Sequence, residues 1–318
     1  MTRQHDISRV RVSVVIPTLN SAETLESCLV SIRNNNTGYE YEIIVVDAGS
    51  SDGTKEIASR YADKILDGVL SRVNRNKGIE VAEGNIVCFT DSDCTVPTAW
   101  IEQLVNKLLE LNKGDKKIIG IGGPNYPMLE TGSLISVAIA RTIRSPLISF
   151  RARNVTMDKR AQQTLHNPPV NSAYFKKVLQ EVGGFGEEYN VGEDLRLDAS
   201  LGEKGYRLFY IPDIFVYHQH RTGFNKFIRQ MYSFGKARIR VGKKFKKFLR
   251  WYHFGPLILC IMTFSPLIFI PFLMALTNAG YVAIQERNIK LFFPILLLTM
   301  SFYVSYGAGE IVALVRGS

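Results

Sequence analysis

The chain opens on a β-branched run, Val10 to Ile16, stopped by Pro17, and from Ser21 to Arg33 it sets Leu25, Cys28, Leu29 and Ile32 at helical spacing. The same alternation recurs. Glu42 to Val46 reads as a strand, Asp52 stands where it can cap a helix running to about Tyr61, Ile65-Leu66 marks a short strand and Arg72 to Ala82 a helix. Ile86 to Phe89 supplies a fourth strand, Trp100 to Leu111 a helix, and Ile118 to Ile121 a strand that Gly122-Gly123-Pro124 ends. Strands alternating with helices of these lengths predict an α/β fold that starts as a Rossmann-like half. Its mostly parallel sheet is covered on both faces and joined by right-handed crossovers.

Beyond Pro124 the pattern is less regular. Ser133 to Phe150 is apolar apart from Arg141 and Arg144, and Arg151 to Pro169 is polar and reads as a mobile connection, so the acceptor region is expected here. Order returns with a strand at Ser172 to Phe175, a helix from Lys176 to Val182 closed by Gly183-Gly184, a helix from Glu193 to Glu203, and a strand-like piece from Tyr206 to Tyr217. Two apolar stretches follow, Gly255 to Leu276 and Leu291 to Val315. Each is long enough to cross ~30 Å of hydrocarbon at ~1.5 Å per residue. A buried hairpin of core helices is the alternative, since Pro266, Pro271 and Glu310 interrupt the runs.

Charge sharpens this picture. Of the 318 residues, 39 are Lys or Arg and 29 Asp or Glu, and Arg221 to Arg250 alone holds eleven of the cations with no acid. Phe224, Phe227, Tyr232, Phe234, Phe245, Phe248, Trp251 and Tyr252 interleave with them. Directly before an apolar span, such a segment predicts an interfacial helix on an anionic membrane surface rather than a nucleic-acid site. The cations before the first span and Arg316 after the second place both ends in the cytoplasm, with Thr277 to Lys290 outside. Met1 to Arg9 lacks the apolar region of a cleaved leader. Cys28, Cys88, Cys94 and Cys260 show no C-x-x-C spacing and read as reduced, partly buried thiols.

Candidate chemistry gathers where strands end. Asp91-Ser92-Asp93 follows the strand at Ile86 to Phe89. Alternation along an extended chain would put both carboxylates on one side, able to share a hard divalent cation with phosphate oxygens. A solvated turn or helix cap is the alternative. Pro17 and Thr18 offer a rigid turn to a flat base, and Asp47 a strand-end acceptor for a base N–H or a ribose hydroxyl. Ordinary turn and cap chemistry accounts for Asp52. Taken alone, Glu193 and Asp194 read as acids favoured by a helix N-terminus, with proton transfer by a carboxylate as the other reading.

The motifs Val14 to Asn20, Val45 to Thr54, Asn74-Arg75-Asn76-Lys77-Gly78-Ile79 through Ala82-Glu83-Gly84, and Asp91-Ser92-Asp93 stand in an order that resembles glycosyltransferase family 2. Gly183-Gly184-Phe185 and Gly192-Glu193-Asp194 resemble two later motifs of that family. Ala48 and Asn74 depart from it, where a second acid and an alanine are usual, and the Q-x-x-R-W pattern of processive synthases is absent. The resemblance implies a GT-A fold that binds a nucleoside diphosphate sugar with Mg²⁺ or Mn²⁺. It implies donor contacts from Pro17, Thr18, Asn20, Asp47, Arg75 and Asp91, metal contacts from Asp91, Asp93 and His218, and acceptor activation by Asp194 with Glu193.

The expected organisation is a cytosolic catalytic domain over 1–220, with a donor half at 10–124 and an acceptor half at 125–220. An interfacial segment at 221–254 and two transmembrane helices at about 255–276 and 291–315 complete it. The expected activity is inverting sugar transfer to a lipid-linked acceptor at the cytoplasmic face of the cell membrane. A polyprenyl-phosphate sugar synthase and a nucleotidyltransferase are the alternatives.

Overall fold

The computed structural model describes residues 10–68, 73–128, 133–145, 148, 160–186, 192–219, 223–246 and 249–316. The expectations for Met1 to Arg9, Phe248 and the 151–159 part of the polar connection fall outside them. The chain divides into two compact units, Met1–Tyr126 with Asp158–Gln219, and Pro127–Met157 with His220–Ser318.

The first unit begins β1 (Arg11–Thr18), α1 (Ala22–Arg33), β2 (Glu40–Asp47), α2 (Thr54–Tyr61), β3 (Lys64–Asp67), α3 (Val73–Val81), β4 (Ile86–Thr90), β5 (Cys94–Thr95), α4 (Trp100–Gly114), β6 (Ile118–Gly122) and β7 (Asn125–Pro127). The chain then passes through α5 (Leu134–Arg144) of the second unit. It resumes as β8 (Gln162–Thr164), β9 (Asn171–Phe175), α6 (Lys176–Glu181), α7 (Glu193–Glu203), β10 (Arg207–Tyr210) and β11 (Val216–His218). The main sheet runs β3-β2-β1-β4-β9-β6-β10-β8, and β5-β11-β7 form a small second sheet.

β1 is buried from Val12 to Thr18 because both its faces are covered. Val12, Val14 and Ile16 join one core with Leu25, Leu29 and Trp100. Val15 joins the other with Ile44, Val87 and Phe89. The central sheet is mixed where a mostly parallel one was expected. β3, β2, β1 and β4 are parallel, but β9 lies antiparallel between β4 and β6, and β8 antiparallel on β10. The strand predicted over Tyr206 to Tyr217 is two, β10 and β11, with Pro212 and Asp213 in the turn between them. Asp52 precedes the N-cap of α2, which is Gly53, and its carboxylate accepts from the Thr54 backbone and from Ala22 at the start of α1.

Gly84 explains why the turn into β4 needs glycine. A Cβ there would stand 2.5 Å from the Ser13 nitrogen, on the β1 backbone. At that turn Ser13 donates to the buried Glu42 at 2.6 Å, and Glu42 also accepts from the Glu83 N–H and pairs with Lys64 at 2.8 Å. Burial opposes the charge of Glu42, yet these partners hold its carboxyl below its ordinary range.

The second unit contains α5, α8 (Phe224–Lys244), α9 (Gly255–Thr263), α10 (Phe269–Gln285) and α11 (Phe292–Val315). The first predicted span is broken. Pro266 lacks an N–H and clashes with a preceding carbonyl, so α9 stops at Thr263 and a new helix starts at Phe269. One described segment, Ile289–Val315, is long and apolar enough to cross a membrane; α9 and α10 are shorter apolar helices. The basic segment is largely a helix, α8, that buries Phe227, Met231, Gly235 and Ile239. It approaches α11 so closely that a Cβ on Gly235 would stand 2.1 Å from the Tyr306 carbonyl, and Lys243 donates to the Ala313 carbonyl at 2.7 Å. Asn278 on α10 bonds both Ser145 and Thr299, a buried polar tie from the end of α5 through α10 to α11.

Candidate active site

Because β2, β1 and β4 are parallel neighbours, the loops after Asp47, Thr18 and Thr90 leave from one edge of the sheet. The carboxylate of Asp47 is buried there. It accepts from Thr18 Oγ1 at 2.9 Å, from the N–H groups of Gly49 and Ser50 at 3.1 and 2.8 Å, and from the Ser50 hydroxyl. Burial alone would raise its pKa, but these donors hold it below the ordinary value. Asn20, at φ 47°, ties the first loop to the second, since its side-chain oxygen accepts from Ser51 N–H at 3.0 Å and its own N–H donates to Ser50. Pro17 is buried opposite Val46 in the β1–β2 register.

Asp91-Ser92-Asp93 does not continue the strand. β4 ends at Thr90, and the Cys94 N–H closes a turn onto the Asp91 carbonyl at 3.0 Å, so the carboxylates are not related by strand alternation. Ser92 bonds Ser21 and Cys28 bonds the Asp91 carbonyl, anchoring this turn to α1. Asp91 turns to Arg75 on α3, whose Nη2 lies 2.7 Å away, while Nη1 of the same guanidinium lies 3.3 Å from Glu193 at the start of α7. Burial would weaken that cation, but the charges of Asp91, Glu193 and Asp194 raise its pKa. Asn74, next to it, reaches the Val46 carbonyl at 3.1 Å and pins α3 to β2.

Asp93 faces a different partner. Its Oδ1 stands 3.0 Å from Nε2 of His218, across the β5–β11 pairing. Asp93, Cys94 and His218 are a group, among the described residues, whose ligand atoms lie within 4.8 Å of one another; Asp91 is not in it. The carboxylate suits Mg²⁺ or Mn²⁺, and the imidazole favours Mn²⁺, a transition metal, over Mg²⁺. Cys94 is the soft member of the group, and a thiolate is a poor match for a cation that prefers oxygen ligands; burial and then the charges of Asp91 and Asp93 push its thiol well up.

Gly192, at φ +97°, turns the chain into α7 and brings Glu193 and Asp194 to that helix N-terminus. Asp194 Oδ1 accepts from the Leu195 N–H at 2.8 Å, and Oδ2 lies 3.7 Å from Nε2 of His166. His166 falls in the stretch that the sequence reads as a mobile connection, yet its Nδ1 lies 2.8 Å from the buried carboxylate of Asp198. Neither His166 nor Asp198 is prominent in the sequence. The available signal is that Asp198 stands four residues after Asp194 on a helix, which puts the two acids on one face.

An α/β unit with acidic loops converging at one sheet edge, on a GT-A-like fold, is that of a glycosyltransferase. Residues 13–183, more than half of the chain, match glycosyl transferase family 2, and the chain belongs to that family. Glycosyltransferase AglE of Haloferax volcanii is 28% identical over 239 residues, covering 72% of this chain and 73% of that one. The dolichyl N-acetyl-alpha-D-glucosaminyl phosphate 3-beta-D-2,3-diacetamido-2,3-dideoxy-beta-D-glucuronosyltransferase of Methanococcus voltae is 25% identical over 311 residues, 93% of this chain and 95% of the relative. Mannosyltransferase PcManGT from Pyrobaculum calidifontis, solved with GDP-Man and Mn²⁺, shares the fold at TM-score 0.58 and 17% identity, over 98% of this chain and 88% of that one.

Proposed function

We propose that this glycosyltransferase moves a sugar, with inversion, from a nucleoside diphosphate sugar to a hydroxyl of a lipid-linked acceptor at the cytoplasmic face of a membrane. The observation that carries the reading is the Arg75 bridge, which joins Asp91 on the loop after β4 to Glu193 beside Asp194. Pro17, Thr18, Asn20 and Asp47 shape the loop edge for base and ribose, and Arg75 with Asp91 lies beside the nucleotide. Asp93 and His218 would hold the divalent cation, which when bound supplies Lewis-acid neutralisation of the departing diphosphate. Asp194, with Oδ1 held by a backbone N–H, presents Oδ2 to take the acceptor proton; one base and one displacement invert the anomeric centre.

The lipid-linked acceptor is supported by the Methanococcus voltae relative, whose name specifies a dolichyl phosphate-linked sugar. Membrane attachment is supported by the apolar Ile289–Val315 segment. In our reading the broken pair α9 and α10 accompanies it in the bilayer, and the cations of α8 keep the catalytic unit on the cytoplasmic side. The test is a thermal-shift series on the full chain with UDP-, GDP- and dTDP-sugars, each with Mn²⁺, Mg²⁺ or chelator. Metal-dependent stabilisation by one nucleotide class is expected; no shift with any donor and metal would overturn the proposal.

A further inference from the structure

Asp194 does not face solvent alone. His166 stands behind it with Nε2 3.7 Å from Asp194 Oδ2 and Nδ1 2.8 Å from Asp198 Oδ2. Asp198 is held in turn: its Oδ2 accepts from the Asn167 N–H at 2.9 Å, and the Tyr174 hydroxyl reaches Oδ1 at 3.5 Å. A carboxylate that accepts a backbone N–H is an acceptor toward the ring as well, so it fixes the proton on Nδ1 and turns the Nε2 lone pair toward Asp194. The side chain of Asp198 is 1% exposed, whereas those of His166 and Asp194 are 27% and 25% exposed, so the set runs from the core to the open side of the site.

From this we infer that His166 is a positioning residue and proton acceptor for Asp194, held in one tautomer by Asp198. The inference rests on the hydroxyl-acceptor reading above. In the transfer step the acceptor oxygen bonds to the anomeric carbon as the bond from that carbon to the diphosphate breaks, the nucleoside diphosphate leaves with that electron pair, and the proton of the acceptor O–H forms a bond to Asp194 Oδ2. That bond then breaks as the proton passes to His166 Nε2, giving an imidazolium whose Nδ1–H stays on Asp198. Water removes the proton when product leaves, and Asp194 is again a carboxylate. Among the described residues, the ionisable groups facing His166 are Asp194 and Asp198 from α7 and, through Asp198, Tyr174 from β9; Glu193 and Arg75 adjoin Asp194. Burial raises the Asp198 pKa to about 6 against the pull of His166 and Asn167.

The experiment measures steady-state transfer against pH for the full chain and for His166→Ala, Asp198→Asn, the double variant and Asp194→Asn. Donor-induced thermal shifts report whether each variant is folded. For His166→Ala, kcat falls about 10- to 100-fold while donor KM changes by less than about twofold, because Asp194 loses the neighbour that takes its proton. Added imidazole restores part of the rate. The double variant is no slower than about twofold below His166→Ala, since both changes interrupt one chain. A kcat within about twofold of the unaltered protein, or a lowered kcat that imidazole does not rescue, overturns the inference. Near-normal turnover by Asp194→Asn instead sinks the hydroxyl-acceptor reading, an outcome separate from the behaviour of His166.

Discussion

His218 Nε2 lies 3.0 Å from Asp93 Oδ1, although 125 positions of chain separate the two residues. The pairing of β5 with β11 aligns His218 with Cys94 and so delivers the imidazole to the end of the acidic turn. Together they make a mixed carboxylate and imidazole set that suits Mn²⁺ better than Mg²⁺.

Removing either member of that set should uncouple metal from donor. For Asp93→Asn and for His218→Ala, the extra thermal stabilisation that Mn²⁺ gives to bound nucleotide sugar is expected to vanish. Turnover should fall by about 10³-fold, equivalent to several kcal/mol of lost charge stabilisation. Titration of Mn²⁺ at fixed donor, followed by melting temperature, checks this.

Asp194→Asn distinguishes the acceptor classes. A hydroxyl acceptor needs a base, and turnover should drop by about 10²- to 10⁴-fold with donor binding intact. An anionic phosphate acceptor needs little base catalysis and would leave turnover near normal. Initial rates with radiolabelled donor and lipid extract report the difference.

Arg75→Lys should damage the site more than its conserved charge suggests. A lysine ammonium is a single point on a flexible stem and cannot span Asp91 and Glu193 as the planar guanidinium does. Catalytic efficiency should fall by about 100-fold, an estimate for loss of one charge-assisted bond and of its geometry. Arg75→Ala leaves both acids without their cation and should cost about 3–5 kcal/mol in stability as well.

Acid should weaken the first unit through Asp47 and Glu42. Both carboxyls have folded pKa values below their ordinary 3.8 and 4.5, so each contributes stability that is present above those values and lost as pH falls beneath them. The melting temperature of the unaltered protein should therefore decline steeply below about pH 4. Asp47→Asn, with no carboxylate to protonate, should melt lower at neutral pH and lose part of that slope; a full slope would show that Asp47 does not contribute it.

Much of the first unit was legible because its signals are local. The apolar runs from β1 to β4 can be buried only between two layers, and Gly192 before Glu193-Asp194 marks a helix start that the structure reproduces from Glu193 to Glu203. The errors arose where a neighbour decides. β9 reads as one more strand, but its antiparallel insertion depends on pairing with β4 and β6. The stretch 255–276 reads as one apolar span because hydropathy averages over Pro266, whereas the backbone breaks there.

The amino-acid sequence by itself determined the alternating α/β plan, the strand-end aspartates and the concentration of cations before the apolar C-terminal helices, since each follows from spacing and composition along the chain. Tertiary structure alone decided which acid meets which partner: Asp91 with Arg75, Asp93 with His218, Asp194 and Asp198 with His166. Charges find their partners through strand order and helix packing. A side chain 3 Å away in space leaves no periodic trace when it lies tens of residues away in the chain.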